Sequence, residues 1–256
     1  MEELFEAGGL PVVMKELESL LHLQAKTVTG HTIGENLSVV RKTRNRDVVA
    51  ALESPLDREG GIVILRGNLC PDGAVLKQTA ASAELMSHRG RAVVFTSIDD
   101  LRTRIDDPDL DVHPEDVLVL QNAGPVGAPG MPEVGFMPIP KKLLQQGVRD
   151  MVRISDARMS GTSYGTVVLH VAPESAIGGP LALVQNGDTI HLDVPNRTLT
   201  LEVAEEELAR RRAAWQPKPL KFERGYRLLY QQHVTQAPQG VDFDFLRLTP
   251  GRPVGS

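Results

Sequence analysis

From residue 61 onward, short apolar runs alternate with glycine and proline, and this pattern limits the possible folds more than any other feature. Strand-length runs rich in β-branched residues lie at 61–67, 92–95, 117–120 and 150–154. Residues 189–194 and 198–203 alternate apolar and polar positions around a Pro-Asn-Arg turn, which predicts a β-hairpin with one solvated face. Many short strands with few helices predict a strand-rich α/β domain, barrel-like or layered, without doubly wound alternation.

Helical patterns flank and interrupt this region. Residues 10–21 carry apolar side chains at three- and four-residue spacing, which predicts a helix with one buried face. Further helical segments are predicted at 32–37, 74–83, 141–147, 204–214 and 226–233. Residues 99–115 are interpreted as an exposed loop or short helix, and 166–171 as either a strand or a buried helix start.

Composition excludes several classes of protein. A net charge of −5 and a pI near 5.8 give no electrostatic basis for binding nucleic acid. No apolar run approaches the roughly 20 residues of a membrane helix, and the acidic amino terminus lacks the pattern of a secretory signal. The single cysteine, Cys70, rules out an internal disulfide framework and cannot alone hold an iron–sulfur cluster. We therefore expect a cytoplasmic protein with no nucleic-acid and no membrane partner.

The segment 154–165 is the strongest candidate for an active site. It places hydroxyl side chains and an Asp–Arg pair on a turn that contains two glycines. Gly161, Ser163 and Gly165 also match the spacing of the nucleophile elbow of serine hydrolases, which would make Ser163 a nucleophile. An elbow needs a helix after the serine, and the β-branched residues that follow favour a strand. The hydroxyls could equally satisfy backbone groups of a tight turn.

Two other turns carry candidate residues. Glu133 ends the Gly/Pro-rich segment 121–133, and a carboxylate on so stiff a loop could ligate Mg²⁺, although most loop glutamates are merely solvated. Residues 67–74 form a turn that either only shapes the chain or cradles an anion with N–H groups at a following helix start. Within this turn, Cys70 is expected to be a small buried residue and not a nucleophile.

Five segments, taken in order, resemble the carboxy-terminal domain of the dihydroxy-acid and sugar-acid (aldonate) dehydratase family. The matching segments are residues 29–36, 67–74, 124–133, 155–165 and 170–174. They extend over most of the chain, from about residue 7 to about residue 205, and their joint order is far more specific than any single motif. The resemblance implies one carboxy-terminal domain over 1–256, with a helical and extended tail from 206.

The resemblance implies a hydro-lyase that dehydrates a 2,3-dihydroxy acid to a 2-keto-3-deoxy acid. In such enzymes Mg²⁺ binds the substrate carboxylate and C2 oxygen, and an iron–sulfur cluster, [2Fe–2S], accepts the C3 hydroxyl. Ser160 matches the base that removes the C2 proton, and nearby metal must lower its pKa for that role. Thr162 matches a hydroxyl that lines the substrate site, and Glu133 matches a Mg²⁺ ligand.

The substrate class is indicated by residues 121–125, Gln-Asn-Ala-Gly-Pro. This version resembles the sugar-acid enzymes, whereas the enzymes of branched-chain amino-acid synthesis usually carry Tyr-Glu-Gly-Pro there. An aldonic acid such as arabinonate or xylonate is therefore expected, with a branched-chain dihydroxy acid as the alternative. In the family, alanine is common at the position of Cys70, and lysine is common at the position of Val126. The residue at position 126 bears on substrate choice.

The family's cluster cysteines, its other Mg²⁺ carboxylates and a carbamylated lysine belong to an amino-terminal domain that this chain does not supply. The resemblance implies that this domain is the missing partner, that the complete enzyme is a homo-oligomer, and that the chain alone is inactive. The implied fold is a barrel-like, swivelling domain similar to that of aconitases, flanked by helices. The alternative, from a different class of function, is a non-catalytic binding or assembly module with the same fold.

Overall fold

The computed structural model of the chain describes residues 1–43, 45–134, 137–161, 164–219 and 222–246. These residues form two compact units, 1–60 and 61–256. The assignment of residues 1–256 to one domain stays a prediction. No helix within the described ranges is long and apolar enough to cross a membrane.

The first unit contains three short helices. They are α1 (Glu2–Glu6), α2 (Gly9–Glu16) and α3 (Ile33–Ser38), with a 3-10 helix at Glu18–Leu20. The helix predicted over 10–21 ends at Glu16, and the prediction of one buried apolar face is wrong, since Leu10 and Leu20 are exposed. The change to 3-10 geometry after Glu16 alters the rotation per residue, so Leu20 no longer shares a face with the apolar residues of α2. Val12 is buried instead, as is Glu16, which pairs with Arg46 at 2.9 Å.

The segment 29–36 builds the start of α3, as the sequence predicts. Thr32 Oγ1 accepts a hydrogen bond from the Glu35 N–H at 3.1 Å, and the Glu35 carboxylate accepts one from the Thr32 N–H at 2.6 Å. This reciprocal capping box satisfies two donors that a helix start leaves unpaired. The Asn36 amide donates to the Thr29 hydroxyl at 3.1 Å and holds the preceding turn.

The second unit is built on one eight-stranded sheet. Its strands are β1 (Val63–Leu65), β2 (Gly73–Leu76), β3 (Ser87–Phe95), β4 (Val117–Leu120), β5 (Arg153–Ser155), β6 (Val167–Ala172), β7 (Thr189–Asp193) and β8 (Thr198–Leu201). Their order is β1-β2-β6-β5-β4-β3-β7-β8. The four strands β3, β4, β5 and β6 are mutually parallel, and the other neighbours are antiparallel. The predicted hairpin is confirmed as β7 and β8.

The two outer strands of this order meet and nearly close the sheet. The Arg66 N–H donates to the Arg197 carbonyl at 3.0 Å, and the Leu199 N–H donates to the Arg66 carbonyl at 2.9 Å. A side chain at Gly67 would overlap the Leu199 carbonyl, so this seam requires glycine. The Asn68 side chain continues the seam by bonding the Leu201 N–H at 2.7 Å. The predicted strand-rich, barrel-like fold flanked by helices is thereby confirmed.

Helices of the second unit are short and lie between strands or after them. They are α4 (Ile98–Arg104), α5 (Lys141–Gln145), α6 (Glu205–Ala214) and α7 (Tyr226–His233). Shorter 3-10 helices occupy Gln78–Ala80, Ala83–Leu85, Ser175–Ile177, Pro180–Leu183, Ala237–Gln239 and Asp244–Leu246.

The helix predicted over 74–83 is wrong, because its first residues form β2 and only 3-10 turns follow. Val75 pairs with Ile64 of β1 on one side and with Leu169 of β6 on the other. Pairing on both sides outweighs the modest helix preference of this segment. Residues 166–171 adopt the strand alternative, as β6.

The central strands are buried on both faces. Val117 and Val119 of β4 join one apolar cluster with β1, β2 and the hairpin, whereas Leu118 and Leu120 join another that includes Leu101 of α4. A strand that is covered on both faces can be apolar at every position, which explains the unbroken run at 117–120.

Candidate active site

The candidate site lies on loops that follow the parallel strands. Because β3, β4, β5 and β6 are parallel, their carboxyl ends share one edge of the sheet. The loop after β4 carries Glu133, and the loop between β5 and β6 carries Ser160. Open sheets with parallel strands commonly bind their ligands at this edge.

Asp156, the first residue after β5, ties two of these loops together. Its Oδ1 accepts a hydrogen bond from the Ala123 N–H and its Oδ2 one from the Ser175 N–H, each at 2.8 Å. The side chain is buried, and this burial raises the pKa of the carboxyl group above its usual range. The loops after β4 and β6 are therefore joined through one side chain at the end of β5.

Glu174, in the loop after β6, is a second buried carboxylate. It accepts hydrogen bonds from the N–H groups of Val126 at 2.9 Å and of Gly127 at 3.0 Å. Burial raises the pKa of Glu174, and the nearby charge of Asp156 raises it further. A side chain at Gly124 would lie 2.7 Å from Oε2 of Glu174, so the glycine permits this close approach. Glu174 thus fixes the first part of the loop that ends at Glu133.

Glu133 itself contacts the loop that carries Ser160. Arg158 donates from Nε to the Met131 carbonyl at 2.8 Å, and its Nη2 lies 3.3 Å from Oε2 of Glu133. The Glu133 side chain is 45% exposed. The structure therefore brings the predicted metal ligand and the predicted base onto two adjoining, mutually bonded loops.

The described residues supply only part of a metal site. Among them, no group of three or more His, Cys, Asp and Glu side chains lies close enough to hold a metal ion. An exposed carboxylate fits the role of one Mg²⁺ ligand, because Mg²⁺ often takes only one or two ligands from a protein. Cys70 does not fit an iron–sulfur cluster, since it is buried and burial raises the pKa of its thiol to about 12.

Contacts on both sides hold the segment around Ser160, which is partly exposed. On one side the Met159 N–H donates to Nε2 of His170 at 2.9 Å. On the other, the Lys77 ammonium donates to the Gly161 carbonyl at 2.9 Å. Burial lowers the pKa of His170, and the charge of Arg158 lowers it further. A neutral imidazole is the form that can accept the Met159 hydrogen bond.

The far end of the same loop is fixed by a buried ion pair. Nη2 of Arg153 lies 2.8 Å from Oδ1 of Asp150 and also donates to the Tyr164 carbonyl at 3.2 Å. Asp150 in turn accepts hydrogen bonds from the Thr166 N–H at 2.8 Å and from the Thr166 hydroxyl at 2.7 Å. Gly165 has a φ of +90°, and a side chain there would overlap the Arg153 guanidinium. The β5–β6 loop is thus anchored at its end.

Not every predicted residue can be placed. Thr162, the predicted substrate hydroxyl, and Ser163, the hydrolase nucleophile, lie outside the described residues. The elbow interpretation lacks the helix that it requires, because strand β6 begins at Val167. The predicted anion site at 67–74 is also wrong. It requires a helix that starts at the end of this turn, and Gly73 begins strand β2 instead. That turn only shapes the chain, and Cys70 is buried within it, as expected.

Several residues that organise the site were not predicted from the sequence as functional. Asp156 and Arg158 were noted as an Asp–Arg pair in the candidate segment 154–165 but received no individual role. His170 and Glu174 lie within the matching segments and received none, and Gln236 lies in the tail. Their partners are distant in sequence, so no local pattern reveals them. The only available signal was a carboxylate directly after an apolar strand, as at Asp156.

Comparison with known proteins yields one family and several relatives. The family described as "Dihydroxy-acid/6-phosphogluconate dehydratase C-terminal" matches residues 47–241. The chain is 56% identical over its whole length to an L-arabinonate dehydratase of Rhizobium leguminosarum bv. trifolii, of which it covers 44%. It is 52% identical over 96% of its length to a 6-deoxy-6-sulfo-D-gluconate dehydratase of Pseudomonas putida, of which it covers 43%. A dihydroxy-acid dehydratase of Caldicellulosiruptor bescii is 42% identical over 94% of the chain, which covers 43% of that protein.

Proposed function

The chain belongs to the dihydroxy-acid/6-phosphogluconate dehydratase family, whose carboxy-terminal region it matches, and we propose that it supplies the base-carrying part of a sugar-acid hydro-lyase. The observation that carries this proposal is the junction of two loops by Arg158, which contacts Glu133 and precedes Ser160 by two residues. A base and a metal-binding carboxylate must face the same substrate, and this junction supports that arrangement.

In the proposed reaction Ser160 takes the proton from C2 of the substrate. The electron pair of the broken C2–H bond forms the C2–C3 double bond while the C3–O bond breaks. The leaving hydroxide takes up one proton, which balances the proton removed from C2, and departs as water. The resulting enol becomes the 2-keto-3-deoxy acid by moving a proton from oxygen to C3. The Lys77 ammonium donates to the Gly161 carbonyl and so holds the backbone next to Ser160. Thr162 would bind a substrate hydroxyl.

Glu133 would hold Mg²⁺ with ligands from outside the described residues. When bound, the metal supplies positive charge that stabilises the developing enolate. The iron–sulfur cluster belongs to the proposed amino-terminal partner, since Cys70 is unsuited to it. The chain spans about 44% of the length of the relatives it matches, which supports a further domain in the complete enzyme. We propose a homo-oligomeric, cytoplasmic enzyme in which residues 1–256 act as one carboxy-terminal domain.

The proposed substrate is an aldonic acid. Identity of 56% and 52% to relatives named for sugar acids, against 42% to one named for dihydroxy acids, supports this class. Gln121, which lies directly before the stretch that differs between the two sequence versions, donates to the carbonyls of Leu181 at 2.8 Å and Val184 at 3.1 Å. Its buried amide therefore joins the end of β4 to the 3-10 helix at Pro180–Leu183 and to the residue after it, and we assign substrate choice to other residues of the loop, Val126 among them.

A dehydration assay tests the proposal. The chain is incubated with a panel of aldonic acids, Mg²⁺ and a reconstituted cluster, alone and mixed with the amino-terminal domain of a related dehydratase, and 2-keto-3-deoxy products are measured. We expect product only in the mixture and none with Ser160→Ala. Product from the chain alone would contradict the need for a partner. A stable complex that forms no product from any acid would favour a non-catalytic assembly module.

A further inference from the structure

The tail of the second unit contacts the loop that carries Glu133 at several polar groups. Gln231 of α7, which is buried, donates from Nε2 to the Val126 carbonyl at 3.0 Å. The side chain of Tyr230, the residue before it, lies near the backbone N–H of Gly130, which partly offsets the rise that burial causes in the pKa of this tyrosine. Both contacts join a residue after position 225 to a backbone group within 121–133.

Gln236 makes the third contact through Glu174. The Gln236 amide donates to Oε1 of Glu174 at 2.6 Å, and its own oxygen accepts from the Glu174 N–H at 3.0 Å. Because Glu174 in turn holds the N–H groups of Val126 and Gly127, both polar backbone groups of Val126 are engaged by side chains. Val126 also lines a cavity of about 640 Å³, so the same bonds fix part of the wall of that cavity.

The tail has its own packing, which keeps these donors in place. Phe243 packs edge to face against Tyr230, with ring centroids 5.8 Å apart, and against Tyr226 at 6.2 Å. The Thr235 N–H donates to the Asp242 carbonyl at 2.8 Å, which folds residues 234–243 back on themselves. An aromatic cluster of this kind stabilises a segment that has little regular structure.

From these contacts we propose that the segment 226–243 is a clamp on the loop 121–133, and that Gln231 and Gln236 are positioning residues for Glu133. The inference about Glu133 rests on the proposed function, whereas the clamp rests on the contacts alone. Gly/Pro-rich loops have no ladder of backbone hydrogen bonds, so their position depends on side chains that bond them from outside. The clamp fixes the first half of the loop, and Arg158 fixes the second half.

Hydrogen exchange of the 256-residue chain tests the clamp. Gln236→Met keeps the length of the side chain and removes its hydrogen bonds, and we expect exchange at Val126 and Gly127 to become about tenfold faster. Exchange of the β4 and β5 amides should not change. The matched control is Gln239→Met, an exposed position in the same 3-10 turn. Unchanged exchange at both amides in Gln236→Met would overturn the clamp.

Paramagnetic line broadening tests the positioning of Glu133. The chain is mixed with the amino-terminal domain of a related dehydratase, which would supply the remaining ligands. In this mixture Mn²⁺, used in place of Mg²⁺, should broaden the amide signals of residues 130, 131, 133 and 134 of the wild-type chain and not of Glu133→Gln. In Gln236→Met the broadening should need more Mn²⁺ than in Gln239→Met. Faster exchange with unchanged broadening would overturn the role of the clamp in positioning Glu133. Absence of broadening in the wild type would instead overturn the metal assignment and leave the clamp supported by exchange.

Discussion

Nη2 of Arg158 lies 3.3 Å from Oε2 of Glu133, although the two residues belong to loops that leave different strands. Nε of the same guanidinium donates to the Met131 carbonyl at 2.8 Å. Because one planar group makes both contacts, the Glu133 carboxylate and the Ser160 loop are held in a fixed relation. Lysine has a single charged nitrogen and cannot reproduce this geometry.

We expect Arg158→Lys to lower dehydratase activity far more than stability. The partners are partly exposed, so loss of the pair should change the free energy of unfolding by less than about 1 kcal/mol. Loss of a residue that orients a metal ligand commonly lowers activity by about 10- to 100-fold. Urea denaturation and the assay of the mixture measure the two effects. The control is Arg102→Lys, since Arg102 forms an exposed pair with Asp99 at 3.8 Å. Equal activity in both variants would show that Arg158 does not position Glu133.

Asp156→Asn should destabilise the second unit by roughly 2 kcal/mol, although it removes a buried charge. Both carboxylate oxygens accept backbone N–H groups, and the amide nitrogen of asparagine would face one of these donors. The urea denaturation midpoint measures the effect, with the exposed Asp109→Asn as control. An Asp156→Asn variant as stable as the wild type would contradict this prediction. It would mean that the free energy lost by burying the charge equals the free energy gained from its hydrogen bonds.

Acid should weaken the contact between His170 and Met159. Folding lowers the pKa of His170, so the unfolded chain binds a proton more readily than the folded chain. The stability that the neutral imidazole contributes is therefore present above the usual pKa of about 6.5 and is lost as the pH falls toward the lower, folded value. An NMR titration should give an imidazole pKa below about 6.5.

Protonation of His170 should also lower the thermal stability of the folded chain. Over the same fall in pH, the thermal midpoint of the wild type should decrease more than that of His170→Gln, whose side chain does not titrate. Residue 170 has a φ of +53°, and any loss of stability from placing glutamine there is the same at every pH. It therefore does not affect the comparison of the two decreases in thermal midpoint. Parallel decreases in the two proteins would contradict the assignment.

Cys70 should be unreactive in the folded chain. Its side chain is fully buried and the pKa of its thiol is raised to about 12, so the reactive thiolate is scarce at neutral pH. An aromatic disulfide reagent should label the chain only after denaturation in urea. Rapid labelling without denaturant would mean that the turn at 67–74 opens in the folded state.

Strand positions were the most predictable part of the fold. The run at 117–120 is apolar throughout because both faces of β4 are covered, and the hairpin alternates because one face is solvated. The helix prediction over 74–83 was wrong because the segment's structure is decided by distant strands. Its strand character comes from pairing with β1 and β6, and β6 begins about 90 residues later in the chain.

The residues alone indicated 154–165 as a candidate active site, but the specific roles of Ser160 and Glu133 were favoured only by the family resemblance. Glu133 and Ser160 look like an ordinary loop glutamate and a turn serine when each is viewed alone. The carboxylates that hold their loops could not be assigned, because Asp156 depends on donors 33 and 19 residues away. Burial of a charged group is decided by such distant partners, and neither composition nor periodicity records them.

The seam between Arg66 and residues 197–199 also bears on aggregation. In the strand order, β1 and β8 stand at the two ends, where an open sheet would offer unpaired amides to other molecules. Here the backbone of Arg66 and the side chain of Asn68 bond residues 197–201, so this edge of β8 is not available as a template for intermolecular pairing along the seam. The glycine at 67 is what allows the two backbones to approach, and a bulky residue there would separate them and expose the edge of β8 to intermolecular pairing.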